Sequence, residues 1–254
     1  MKSEYIEQFI WDKIFSKKIA SKKLFNKRPQ LYGKLLNDDT IEILNEILKD
    51  NNHISVIEAG CGSAKKTFNL ALSNTNVNQI TALDISAQAL NYARQITPDA
   101  LKNKTKYVQA SIMNTPFKAR SFDLVWNSGV IEHYSEAEIK KIIREMFRIT
   151  KKNGYIVVAI PNMKNIAVIK AAFLGLPLCR KYLKFIKGYR NTTEILYKDK
   201  TIKNILQNTL QRDVVLKYAG GAGLIGVPDF IIKGLYKFSK NSRFSFMSFF
   251  IVKK

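Results

Sequence analysis

Short apolar runs alternate with stretches of helical periodicity through the middle of this chain. Ile54–Glu58, Gln79–Asp84, Lys106–Ala110, Phe122–Asn127 and Tyr155–Ile160 are compact and apolar, which predicts five strands. Between them, Ala64–Leu72, Ser86–Gln95 and Ser135–Thr150 carry apolar residues at helical spacing. Ser86 and Ser135 stand where N-caps are expected, and Glu138, three residues after Ser135, predicts a capping box. The turn Lys152-Asn153-Gly154 leads into the fifth strand. Such regular alternation predicts a parallel sheet with helices on both faces.

The flanks are patterned differently. Residues 3–28 read as one or two short helices, with Tyr5, Ile6, Phe9, Ile10, Ile14 and Phe15 near helical spacing, interrupted by Pro29. Residues 40–49 predict an amphipathic helix capped by Thr40 or Asp39. After Pro161 the rhythm breaks, and residues 162–200 form a basic, aromatic insertion containing Pro177. A helix over 199–210, a strand over 213–219, a helix over 227–240 and a strand over Phe244–Val252 follow. The expected fold is thus α/β, a seven-stranded, mostly parallel sheet closed by an antiparallel pair. The helical segment 1–34 is expected to act as a lid on a domain spanning 35–254.

Composition adds limits. The chain has 254 residues, 46% of them hydrophobic, enough for a large core. No uncharged apolar run approaches the roughly 18 residues that span a bilayer. Glu4, Glu7 and Asp12 sit where a signal peptide would be cationic and then apolar. Cys61 and Cys179 make neither a disulfide framework nor a four-ligand zinc site. These features lead one to expect a soluble, cytoplasmic protein. The net charge of +22 is concentrated at the ends: residues 35–150 are neutral, 1–34 carry +6 and 151–254 carry +16. Such flanks favour anionic partners, whether small molecules, acidic lipid headgroups or nucleic acid, unless a lysine-rich composition alone accounts for them.

The candidate chemistry begins at Val56-Ile57-Glu58-Ala59-Gly60-Cys61-Gly62-Ser63-Ala64, a strand entering a glycine-rich turn that opens a helix. Asp84 ends the next strand. Glycines allow backbone to approach a ligand closely, and a carboxylate there accepts both hydroxyls of a ribose. Lys65 stands where a dinucleotide site would need its third glycine. The pattern Glu58-x-Gly60-x-Gly62 resembles motif I of the class I S-adenosylmethionine-dependent methyltransferases. Four further segments are similar, in order, to the type 11, ubiquinone-biosynthesis-like group of that family. They are Tyr107–Phe117, Ser121-Phe122-Asp123-Leu124-Val125-Trp126, Gly129-Val130-Ile131-Glu132-His133, and Lys151–Val158 followed by Pro161-Asn162.

The resemblance implies a Rossmann-like fold and S-adenosylmethionine as cofactor, with S-adenosylhomocysteine as product. It implies that Glu58, Gly60, Cys61 and Gly62 surround the methionine part, that Asp84 and Ile85 hold the ribose, and that Ser111, Ile112 and Asn127 complete the cofactor site. Ser111 replaces the family's usual Asp near the adenine. Gly129 replaces the first acid of the loop that binds a metal in some relatives, so no metal is expected. His133 is the candidate general base, with helix capping near Ser135 as the competing role. Cys61 is expected to pack in the turn, Lys65 and Lys66 to lie on a solvated face, and His53 to be solvated. Gly221-Ala222-Gly223-Leu224-Ile225-Gly226 fits G-x-G-x-x-G, but no carboxylate follows at the right distance, so a connection beside the site is expected.

The implied activity is methyl transfer to a small-molecule or lipid-like acceptor, anionic and methylated on oxygen, with residues 1–34 and 162–240 choosing it. The alternatives are an RNA methyltransferase using the basic flanks and a non-catalytic cofactor-binding module. Peripheral contact with an anionic membrane fits the mixed apolar and basic segments Ile166–Leu174, Tyr182–Lys187 and Phe230–Phe238. The sequence leaves the oligomeric state open.

Overall fold

The computed structural model describes residues 2–21, 31–176, 194–221 and 229–254. Seven strands, β1 (Ile54–Ala59), β2 (Val77–Asp84), β3 (Thr105–Gln109), β4 (Phe122–Ser128), β5 (Thr150–Pro161), β6 (Val215–Ala219) and β7 (Met247–Lys253), form one sheet. Their order is β3-β2-β1-β4-β5-β7-β6. The first five are mutually parallel, and β7 runs antiparallel to both β5 and β6. The order reverses between β1 and β4, so their carboxyl ends open the crevice where such sheets hold ligands.

Helices cover both faces because the central strands are apolar on both. Val56, Leu124, Trp126, Val157 and Phe249 pack on the side of α2 (Leu31–Leu48), α3 (Lys65–Ser73) and α4 (Ala87–Ile96). Their neighbours Ile57, Val125, Ile156, Val158 and Phe250 pack on the side of α6 (Glu136–Ile149) and α8 (Asp199–Leu210). This is the two-residue alternation of a strand read against two layers of helix. Helix α6 buries Ile139, Ile142, Ile143, Met146 and Ile149 along one stripe, and its capping box of Ser135 and Glu138 is present as expected. The remaining helices are α1 (Lys2–Ala20), the short α5 (Asp99–Lys102), α7 (Ile166–Gly175) and α9 (Asp229–Ser239).

Several boundaries differ from the sequence reading. Helix α2 starts at Leu31, so Thr40 and Asp39 lie within it rather than capping it. The Thr40 hydroxyl donates to the Leu36 carbonyl at 2.8 Å, the usual way a mid-helix threonine is satisfied. Asp39 is buried and accepts hydrogen bonds from the Gly220 amide, at 2.8 Å, and from the Tyr236 hydroxyl. Polar residues that looked like caps therefore pin α2 to the turn after β6. The amino-terminal segment is one helix as far as Ala20; residues 22–30, with Pro29, lie outside the described residues, as do 177–193 and the glycine-containing run 222–228. The last strand begins at Met247 rather than Phe244, because the Asn162 side chain donates to the carbonyls of Arg243 and Ser245 and bends the chain there. Residues 213 and 214 precede β6 rather than belong to it.

Replacing Asp39 with Ala strands two donors, each worth about 1–3 kcal/mol when buried without a partner. Urea denaturation of Asp39→Ala should show a loss of about 2–4 kcal/mol, and Asp39→Asn, which keeps an acceptor, a smaller one. A change within the scatter of surface substitutions would show that the link to β6 carries no stability.

Candidate functional site

The chain leaves β1 through a turn in which Gly60 and Gly62 both have positive φ, 77° and 50°. A Cβ on Gly60 would also lie 2.6 Å from a methyl of Val130 in the loop after β4. Glycine is therefore required there for conformation and for space. The amides of Gly60 and Cys61 donate to the Leu83 carbonyl, and the Gly62 amide donates to Asp84 Oδ2 at 2.8 Å. The other Asp84 oxygen accepts from the Ser86 amide at 2.9 Å. Ser86 in turn caps α4 through its hydroxyl. One carboxylate thus fastens the β1 turn, the end of β2 and the start of α4 together. Burial raises the Asp84 pKa, and the amides of Ser86 and Gly62 partly offset that shift.

Above this turn is a cavity. Its floor includes Gly60, Cys61, Gly62 and Asp84; Ile85, Ala110 and Ile112 form one wall, and Ser128, Gly129, Val130, His133 and Tyr134 the other. Glu7, Trp11 and Phe15 of α1 cover it. These three recur every four residues, so they share one face of the helix. Phe15 packs on Tyr92 of α4 with ring centroids 5.6 Å apart, and Trp11 meets His133 edge-on at 5.7 Å. Glu7 accepts from the Trp11 indole at 3.1 Å and faces His133 Nδ1 at 3.6 Å. Asp12 accepts from the Ser86 hydroxyl at 2.6 Å and the Gln88 amide at 3.3 Å, and Glu4 pairs with the Ser111 hydroxyl.

Behind the cavity wall is a buried charge cluster. Glu58 accepts from the Thr67 hydroxyl, which accepts from the Trp126 indole at 3.0 Å. Lys66 reaches Ser128 Oγ at 2.7 Å and is electrostatically coupled to Glu58 and Glu132. Burial pushes Glu58 up to about 7 and Glu132 up to about 8, and lowers the Lys66 pKa. Glu132 Oε2 and Asn127 Oδ1 are buried with no hydrogen-bond partner among the described residues.

Residues 57–158 match the family of methyltransferase domains. The chain is 25% identical over 124 residues to a demethylmenaquinone methyltransferase of Lactococcus lactis, covering 49% of this chain and 48% of that one. It is 27% identical over 131 residues to a malonyl-[acyl-carrier protein] O-methyltransferase of Erwinia billingiae, covering 52% and 48%. The fold matches magnesium protoporphyrin IX methyltransferase of Synechocystis PCC 6803, solved with bound S-adenosylhomocysteine, at TM-score 0.62, 13% identity and 99% coverage of both chains. Residues 57–158 thus resemble class I S-adenosylmethionine-dependent methyltransferases. That resemblance points to S-adenosylmethionine as the cofactor. The chain spans about half the length of the curated relatives it matches.

The cavity gathers seven of the expected site residues: Gly60, Cys61, Gly62, Asp84, Ile85, Ile112 and His133. Glu58, Ser111 and Asn127 do not line it. Glu58 lies behind the turn, Asn127 is fully buried on β4 and donates to Met146, and Ser111 is engaged by Glu4 and by the Met113 amide. His133 closes a short 3-10 turn, Ile131–His133, and Ser135 with Glu138 forms the capping box of α6. Lys65 is exposed as expected, whereas Lys66 is drawn inward between the two carboxylates. Cys61 is buried in the turn and its thiol pKa is raised, as suits packing rather than chemistry. His53 is exposed. Glu7 and Trp11 were not read as site residues; their spacing with Phe15 was the available signal.

The fit to the cofactor rests on complementary donors and acceptors. S-adenosylmethionine brings an ammonium, ribose hydroxyls and an adenine amino group, all donors, and the cavity offers the Asp84 carboxylate, while the acceptors of Asn127 and Glu132 lie buried outside its lining. A carboxyl whose folded pKa exceeds its unfolded value holds its proton more tightly in the folded state. It therefore costs stability as pH rises from about 4.5 through the folded value. The melting temperature should fall between pH 5 and pH 8, and Glu132→Gln should flatten that fall by about 2–4 °C for each kcal/mol recovered. An identical slope in the variant would remove Glu132 from the buried cluster's titration.

Proposed function

We propose that the protein moves the methyl group of S-adenosylmethionine to a small-molecule or lipid-like acceptor, anionic in character, with oxygen as the favoured site. The observation that carries this reading is the meeting, in one cavity, of the Gly60–Gly62 turn and Asp84 with His133 and its facing Glu7. The first pair suits the cofactor and the second suits an acceptor that must lose a proton. When bound, S-adenosylmethionine supplies an electrophilic methyl on a sulfonium.

The chain's residues do the rest. Asp84 would hold the ribose hydroxyls with the lone pairs left free by the amides of Gly62 and Ser86. Ile85 and Ile112 would pack against the adenine, and the positive-φ glycines would let backbone approach the methionine part. Trp11, Phe15 and Tyr134 exclude water, which strengthens alignment, a contribution on the order of 7–11 kcal/mol in such reactions. His133 takes the acceptor proton on Nε2 while Nδ1 faces Glu7, a general-base contribution of roughly 10²–10⁴-fold. The malonyl-[acyl-carrier protein] relative is named for O-methylation, and the basic flanks of this chain favour an anionic acceptor.

Two measurements test this. Calorimetry with S-adenosylhomocysteine should show Asp84→Ala weakening binding by about tenfold or more, the loss of a charge-assisted hydrogen bond. With labelled S-adenosylmethionine and a panel of hydroxyl- and carboxyl-bearing acceptors, His133→Gln should lower kcat by about 10²-fold or more with cofactor affinity unchanged. A wild-type protein without affinity for the cofactor would refute the whole reading; full activity in His133→Gln would remove only the base.

A further inference from the structure

Three helices around the carboxyl edge of the sheet turn apolar side chains to solvent. Helix α7 follows the end of β5, α9 follows the end of β6, and α1 covers the cavity at the same edge. Asn165, the N-cap of α7, donates to the carbonyls of Gly221 and Phe244, so α7 is fastened to the segment on either side of α9. Helices α7 and α9 are thus tied together through their flanking segments, and α1 lies at the same carboxyl edge.

Each helix has two chemically distinct faces. On α7, Val168, Ala171 and Leu174 are buried, while Ile166, Ile169 and Phe173 form an exposed stripe beside Lys170. On α9 the buried residue is Ile232; Phe230 is 75% exposed and Phe238 87%, with Lys233 and Lys237 exposed on the same outer side. On α1, Tyr5, Ile6 and Phe9 are exposed, followed on that face by Lys13 and Lys17. The acids of α1 face the other way: Glu4 meets Ser111, Glu7 meets His133, and Asp12 meets Ser86. Outward charge on these helices is thus mostly positive, with Asp229 at the start of α9 the exposed acid, next to aromatic and aliphatic side chains.

We propose that these helices dock on an anionic lipid surface, with the cavity mouth turned toward the bilayer. Burial of Ile and Phe in the acyl boundary and attraction of lysines to acidic headgroups are the two components of interfacial binding, and both lie here on the same helices. A second copy of this chain would bring lysine against lysine, and a nucleic acid would leave the Ile166–Ile169 stripe without an apolar partner. No helix among the described residues is long and apolar enough to cross a membrane, so the contact is peripheral. The proposal extends the reading of a lipid-like acceptor but is tested without methyl transfer.

The test is flotation of the purified full chain with phosphatidylcholine vesicles, with or without phosphatidylglycerol. Binding should be about tenfold or more stronger with the acidic lipid and should weaken as salt rises. The pairs Phe230→Ser with Phe238→Ser, and Ile169→Ser with Phe173→Ser, should each reduce it by about tenfold or more. Melting temperature and S-adenosylhomocysteine affinity should stay at wild-type values, since these side chains are exposed and outside the cavity. Undiminished binding in both paired variants overturns the proposal. So does wild-type protein that ignores acidic vesicles, whether it dimerises or binds RNA instead. Cofactor affinity is measured separately, so failure of the docking surface and failure of the methyltransferase reading are distinguishable.

Discussion

A single buried carboxylate organises the centre of this molecule. Asp84 accepts from the amide of Gly62 on one side and from that of Ser86 on the other, which fixes the turn after β1 against the start of α4. A buried carboxylate is costly unless its lone pairs are used. Here they are used by backbone, which holds the turn in a left-handed conformation that only glycine adopts easily. Without that contact the turn would be held to β2 only by the amides of Gly60 and Cys61 on the Leu83 carbonyl.

The same economy of polar contacts explains how α1 is placed. An apolar cover would slide, whereas Glu4, Glu7 and Asp12 each meet a specific partner on a different wall of the cavity. Phe15 supplies the packing between them, against Tyr92. On α1 the acids are thus spent on internal contacts, and Lys13 and Lys17 are left on the outside.

Legibility in the sequence followed the range of the interaction that decides each feature. Strands β1 to β5, the glycine turn, Asp84 and the capping box of α6 rest on neighbours a few residues apart or on one βα unit, and all were readable. Asp39 and Thr40 were misread as caps because the partners of Asp39 lie after β6, far along the chain. Lys66 was read as solvated because nothing local reveals that Glu58 and Glu132 flank it in space. Glu7 and Trp11 showed helical spacing, but their role depends on α1 packing on α4 and over the carboxyl edge of the sheet, which no local pattern encodes. The Glu-His segment was recognisable, yet only the fold shows that His133 faces a carboxylate from the amino-terminal helix.

The paired carboxyls Glu58 and Glu132 have a consequence for ligand uptake. Burial holds them near about 7 and about 8, so at neutral pH they retain protons that free carboxyls would have given up. A cation bound on the other side of Ser128 and Gly129 would favour their ionised forms, so that uptake of a positively charged ligand and release of protons from this cluster would be linked.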